Sequence, residues 1–379
     1  MKRFCVLLMF MAMLFTGCTA PVKIESRLIV QGIGIDFAEG RFRVSVQTYL
    51  PGTPQGGGKT QLFTQEGGRL SDCFLNLEQE SGRQLFLGNC RMVLLGEQAA
   101  EQKWEEISDF LLSDHELRPT VSLLLAVPGA EQVLQVENAR ELQLRAAESA
   151  RQGLCMESTF LSVLRSMESL GGCAAVVQFS LPQEQTPPEP KPQEESSSAA
   201  VAEQPQEPQL RLSQRVLFPG RLSPELNLEQ SQGLALLGGK VQQMQLSLPS
   251  EDGYFTVQLT PRLKTMQAQE QGSTAVLQLR LRLDCAVLEA VGKPVQEKEL
   301  PQLVQSLAGQ AVQERLRRAE SWIKEQQADT VLILEHIKKF CPALFARYSG
   351  RMDTLLEQIM LEPTAEIRVT SLGLSYGVA

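Results

Sequence analysis

The sequence predicts an α+β protein in which helices mix with mainly antiparallel sheets over two or three packed domains. Leu277, Leu279, Leu281, Leu283 and Cys285 alternate with Gln278, Arg280, Arg282 and Asp284, the period of two expected of a strand with one buried face. Leu70, Cys73, Phe74 and Leu77 instead fall at i, i+3, i+4 and i+7, one stripe of a helix. Segments of both kinds follow one another along the whole chain.

The chain opens with Lys2 and Arg3, runs apolar from Phe4 to Phe15 and reaches Thr16-Gly17-Cys18. A short positive segment, about a dozen apolar residues and a small-residue exit form the layout of a secretory signal, here residues 1–17. The run is shorter than the roughly 20 residues a spanning helix needs. Leu14-Phe15-Thr16-Gly17-Cys18 resembles a lipobox. That implies cleavage between Gly17 and Cys18 and a palmitate-type diacylglyceryl anchor on Cys18, since two acyl chains hold a protein stably where one does not. Ordinary signal cleavage beside an incidental Cys18 is the alternative.

Past the signal, Leu28 to Asp36 and Arg41 to Thr48 flank the link Phe37-Ala38-Glu39-Gly40 and predict a β-hairpin with one buried face. Pro51 to Gly58 reads as a loop. The Leu70 stripe gives a helix, Arg91 to Leu95 a short strand, and Trp104, Ile107 and Leu111 a second helix closed by residues 114–119. Val121 to Val127 is almost wholly apolar, as expected of a strand buried on both faces. Residues 137–170 read as two helices broken around Gly153, and Ala174 to Leu181 as a strand.

Residues 182–209 hold seven Pro, six Glu and six Gln among 28 residues. That composition cannot bury enough apolar surface to offset the entropy of ordering, so the stretch is expected to stay disordered. It divides an N-terminal domain region, 18–181, from a C-terminal one, 210–379. It can be an interdomain linker, or an insertion in a long hairpin, because strand-like segments flank it.

Ser223-Pro224-Glu225 predicts a helix start, with Ser as cap and Pro at the first position. The helix should end near Gly238-Gly239. Strands are expected over Val241–Leu248, Tyr254–Leu259 and from Thr274, then a long helix over about 299–326 with Leu303, Leu307 and Ile323 facing the core. Asp329 caps a further helix that Pro342 stops, and 364–376 reads as the last strand.

Lys2 and Arg3 leave with residues 1–17, so the formal charge moves from −8 to −10 over the remaining 362 residues. An acidic chain without a Lys/Arg cluster argues against nucleic acid as a partner and against a polybasic hold on lipid. The six cysteines left, Cys73, Cys90, Cys155, Cys173, Cys285 and Cys341, allow fifteen pairings and include no C-x-x-C. Most stand in apolar runs and read as buried free thiols. Gly32-x-Gly34 before Asp36 lacks the third glycine of a dinucleotide loop, and Gly238-Gly239-Lys240 lacks the spacing of a phosphate loop. Only His115 and His336 exist, one in a charged turn and one in an amphipathic helix, and no G-x-S-x-G elbow is present. No metal site, cofactor or enzymatic activity is expected. Gly32, Gly34 and Asp36 read first as backbone shape for the hairpin and second as a partner surface.

Three groups of residues resemble one family. They are the lipobox with Glu25-Ser26-Arg27-Leu28-Ile29-Val30-Gln31-Gly32-Ile33-Gly34-Ile35-Asp36 and Arg43-Val44-Ser45-Val46-Gln47; Leu85 to Glu97 with Asp109-Phe110-Leu111-Leu112 and Asp114 to Pro119; and Val216-Leu217-Phe218-Pro219-Gly220-Arg221-Leu222. In this order they resemble the Ger(x)C lipoproteins, the C subunits of spore germinant receptors. The resemblance implies packed α+β domains lipid-anchored on the outer face of the spore inner membrane, beside a multi-spanning A subunit and a transporter-like B subunit. It implies a non-enzymatic role in nutrient-triggered spore germination. A lipid-anchored solute-binding protein and an envelope hydrolase are the alternatives.

Overall fold

The computed structural model describes residues 26–50, 59–182, 209–238, 241–250, 253–292 and 298–372. The signal segment, Gly17, Cys18 and residues 183–208 lie outside them.

Strands β1 (Arg27–Ala38) and β2 (Arg41–Leu50) form the expected hairpin. Its turn is Glu39-Gly40, with φ of 53° and 77°; two successive positive φ values give a turn whose twist matches that of the strands. Next come β3 (Lys59–Gly67), α1 (Leu70–Ser81), β4 (Gln84–Phe86), β5 (Met92–Gly96), α2 (Glu97–Ser113) and β6 (Ser122–Val127). Helices α3 (Ala130–Val136), α4 (Ala139–Arg151) and α5 (Phe160–Met167) lead to β7 (Ala174–Ser180), β8 (Arg211–Phe218) and β9 (Arg221–Leu222).

These strands make one mixed sheet in the order β3-β2-β1-β5-β6-β7-β8-β9, with β4 beside the start of β1. Its centre, β1-β5-β6-β7, is parallel and only its flanks are antiparallel. The chain is α+β, but this centre departs from the mainly antiparallel expectation. Both faces are covered, so successive residues of a strand enter different cores. Val93, Leu95, Leu123 and Leu125 pack under α1, α2 and α5, while Met92, Leu94, Leu124 and Ala126 pack under α3 and α4. That is why these strands are apolar at nearly every position.

Strands β7 and β8 pair antiparallel from Ala174 opposite Leu217 to Ser180 opposite Arg211. The Pro/Glu/Gln-rich stretch therefore stands between two paired strands of one sheet, and the first unit is completed by residues that follow it. Ser223 does not start the next helix. Its hydroxyl accepts from Val216 N at 2.9 Å, which holds it to the strand, and α6 (Leu228–Gly238) begins beyond Asn227. There Gln230 N donates to Asn227 Oδ1 at 2.9 Å and Asn227 N donates to Gln230 Oε1 at 3.0 Å, a reciprocal capping box.

The second unit holds β10 (Met244–Ser250), β11 (Gly253–Gln271), β12 (Thr274–Gly292), α7 (Leu300–Gln326), α8 (Ile333–Phe340), α9 (Pro342–Arg347), α10 (Met352–Gln358) and β13 (Met360–Ser371). Its sheet runs β10-β11-β12-β13, antiparallel except for the β12–β13 pair. Helix α7 buries Val304, Ala308, Val312, Leu316, Ala319 and Ile323 against the sheet core; Leu303 and Leu307 flank that stripe, partly buried. Helix α6 crosses α7 at Gly233, where a Cβ would lie 2.1 Å from the Arg315 carbonyl oxygen.

The two units share a core. Cys173, Ala175, Val216 and Phe218 of the first sheet join the apolar cluster that contains Leu234, Leu237 and Met244. The carbonyl of Arg151 at the end of α4 accepts from Gln242 N and Gln243 N at 3.0 and 3.1 Å. The six cysteines are buried and unpaired, and burial pushes the Cys90, Cys155 and Cys173 thiols up to about 12.

Asp329 lies in this junction, with Gly171 packed directly on it. Its carboxylate accepts from Ile333 N at 2.7 Å and Leu334 N at 2.8 Å, capping α8. Burial raises its pKa from 3.8 to about 6 against the pull of those hydrogen bonds. A carboxyl with a raised folded-state pKa binds its proton more tightly folded than unfolded. Its contribution to stability is therefore present below about pH 4 and lost as pH rises towards about 6. Wild type should lose on the order of 2–3 kcal/mol relative to Asp329→Asn across that window. Urea unfolding of both proteins at several pH values checks this; parallel curves would remove Asp329 as the cause.

Candidate functional site

The parallel strands β1, β5 and β6 end side by side, at Asp36, at Gly96 and at Val127-Pro128-Gly129. The crevice outside the carboxyl ends of parallel strands is where open α/β sheets commonly take ligands. Here it is a cavity of about 390 Å3 lined by Asp36, Arg41, Arg43, Glu66, Glu97 and Gln132 among others.

Asp36 organises its floor. Its Oδ1 accepts from Ala130 N at 2.8 Å and its Oδ2 from Glu131 N at 3.1 Å, so a strand residue caps α3 across 94 positions of sequence. Gly96 and Gly129 leave room for it: a Cβ on Gly96 would stand 2.1 Å from Asp36 Oδ1, and one on Gly129 3.1 Å from it. Burial raises the Asp36 pKa, opposed by the two backbone hydrogen bonds. Beside it, Arg43 pairs with Glu66 at 2.5 Å and with Glu131 at 3.4 Å, and Thr64 Oγ1 donates to Glu131 Oε1 at 3.2 Å. Further along β2, buried Gln47 accepts from Ala139 N at 2.6 Å and donates to the Leu134 carbonyl at 3.1 Å, joining α3 to α4.

In chemical terms the crevice is already satisfied. The helix N-terminus that could hold an anion is taken by the chain's own carboxylate. Neither histidine lines the cavity, and no metal-binding group of His, Cys, Asp and Glu occurs among the described residues. Replacing Asp36 with alanine leaves two part-buried N–H donors without their partner and should cost roughly 1–2 kcal/mol, with Asp36→Asn costing less. Urea unfolding midpoints of the two variants check both the size and the order.

Cys18 and Gly17 lie outside the described residues. Gly32 and Gly34 are buried and form no surface, which corrects the reading of them as a partner-facing pair. The alternation that sends Ile33 and Ile35 into one core turns both glycines to the other face, beneath α4 and α3. Without a Cβ they let Ala139 and Ala130 approach closely: a Cβ would be 2.5 Å from Ala139 Cβ at Gly32 and 3.0 Å from Ala130 Cβ at Gly34. The hairpin turn is made at Glu39 and Gly40, while the β1–β2 register shifts between Val30 and Gly32. Of the three predicted residues only Asp36 reaches the cavity. His336 stands on α8 with its ring 5.9 Å from that of Phe340.

No helix among the described residues is long and apolar enough to cross a membrane. No curated protein matches the chain. Residues 21–181 match the family described as the spore germination protein N-terminal domain, a span that ends with the strand preceding the Pro/Glu/Gln-rich stretch. A solved structure titled "Crystal Structure of the GerBC protein" is similar in fold, with a TM-score of 0.56 at 12% identity over 89% of this chain and 96% of that one. Residues 21–181 thus carry a spore germination protein N-terminal domain and both units share the fold of GerBC, which supports the Ger(x)C reading of the sequence.

Proposed function

We propose that this chain is the C subunit of a nutrient germinant receptor, a lipid-anchored and non-enzymatic scaffold that couples membrane subunits during spore germination. The observation that carries the reading is the match of residues 21–181 to the spore germination domain. The GerBC-like fold, which extends over most of the chain, supports it. In this reading the chain is cut between Gly17 and Cys18, Cys18 carries the lipid, and the protein lies on the outer face of the spore inner membrane beside multi-spanning A and B subunits. Anchoring raises its effective concentration near those partners without any new contact. Of Gly32, Gly34 and Asp36, only Asp36 lines this crevice, and the crevice rim is the place for a partner.

The test is an affinity pull-down of the tagged protein from detergent-solubilised spore membranes, read by mass spectrometry. Two multi-spanning proteins in comparable amounts are expected. Recovery of the chain alone would remove the receptor reading. Fatty-acid label should enter the wild type and not Cys18→Ala, and equal labelling of both would remove the anchor.

A further inference from the structure

The second unit meets the first along α5, the α5–β7 link and the end of α4, and a groove stays open among these contacts. It consists of two neighbouring cavities of about 510 and 730 Å3, both lined by Arg165, Gly238, Val331 and Leu332. The first has walls of Cys155, Met156, Ala175, Ala235 and Val241. The second carries Lys264, His336 and Lys339. The size and apolar walls of the first cavity, and its position between two packed units, are those of a small-molecule site.

Four features of the groove are left over by folding. Lys264 is half-buried, and its ammonium donates to the Leu237 carbonyl with no carboxylate partner among the described residues. Burial draws its pKa down to about 8. A buried cation ordinarily has an acid beside it, because desolvation is not otherwise offset. Arg165, which lines both cavities, forms no ion pair with a described residue. Thr330 is 3% exposed, and its hydroxyl, closed off from solvent, has no hydrogen-bond partner. Leu332 holds a φ of 63°, a left-handed conformation that disfavours a branched side chain. Glu168 stands exposed at the rim of the second cavity, and Glu335 accepts from Leu170 N at 3.4 Å.

We propose that the groove binds a small apolar carboxylate, its hydrocarbon body against Met156, Ala175, Ala235 and Val241 and its charge between Arg165 and Lys264. Such a ligand touches α5 of the first unit and the α7–α8 link of the second, so it holds the units in one relative position. The site is independent of the receptor reading and stands or falls on its own measurement.

Isocaproate is the probe, titrated into the purified full chain in phospholipid nanodiscs and read by saturation-transfer NMR, with empty nanodiscs as the blank. A molecule of this size reaches Kd values of roughly millimolar to micromolar. Saturable binding is expected, with isohexanol and isohexylamine each about tenfold weaker, the equivalent of one charge-assisted hydrogen bond. Ser166→Trp, which fills the groove from α5, should abolish binding, and Arg165→Ala or Lys264→Met should raise Kd about tenfold. Arg165 is exposed, so its variant keeps the fold and carries the test if Lys264→Met does not. Equal binding of acid, alcohol and amine, undiminished binding by Ser166→Trp, or no saturable binding at all overturns the proposal.

Discussion

Gly233→Ala is expected to destabilise the protein by about 2–3 kcal/mol, although alanine is the better helix former by about 1 kcal/mol. The reason is what the new methyl meets. At the α6–α7 crossing its Cβ would stand 2.1 Å from the Arg315 carbonyl oxygen and 2.7 Å from Ala319 Cβ. A carbonyl inside a long helix cannot turn aside, so one helix must lift from the other and open the core beneath them. The urea midpoint should fall accordingly. Ala319→Gly added to Gly233→Ala should restore little, because the methyl contact it removes is the lesser of the two. Substantial recovery in that double variant would show that the carbonyl contact is not the limiting one.

Gly32→Ala is the second large effect, about 1–3 kcal/mol, and it differs in being repairable. The obstructing atom is Ala139 Cβ at 2.5 Å, with Met92 Cγ at an ordinary 3.7 Å. The clash is therefore between two methyl groups, one on β1 and one at the start of α4. Ala139→Gly should recover most of the loss, and the coupling between the two changes, read from a double-mutant cycle of unfolding midpoints, should exceed about 1 kcal/mol. Additive losses would mean that Gly32 is needed for some reason other than the approach of α4.

The hairpin, the wholly apolar Val121–Val127 strand, the Leu70 stripe and the long helix were legible because each extends over enough residues for its period to show. Helix α3 was not: its apolar residues Ala130, Val133 and Leu134 cover fewer than two turns. Strand β3 was hidden differently, since its residues Lys59–Gly67 are mostly polar and it pairs at the sheet edge. At Ser223 the local signal for a helix start was sound, and a hydrogen bond from Val216 prevailed over it. The candidate sites were the least legible. Asp36 meets α3 across 94 positions, and Arg165 of the first unit shares cavity walls with Lys264 of the second only through the packing of the two units. The glycines at 32 and 34 were conspicuous in the sequence, but the alanines that explain them stand on helices a hundred residues away.

The pairing of β7 with β8 also governs how the chain can vary. Because those strands are joined along seven residues, Ser180 and Arg211 stand a strand's spacing apart whatever the chain between them is. The entropy of closing a flexible loop changes by only about 0.6 kcal/mol for each doubling of its length. Insertions and deletions there are thermodynamically cheap, while the same change inside β7 or β8 would shift a register. A backbone cut within 183–208 would likewise leave two fragments bound as partners, held by the strand ladder and by the core that Cys173, Ala175, Val216 and Phe218 share with the second unit.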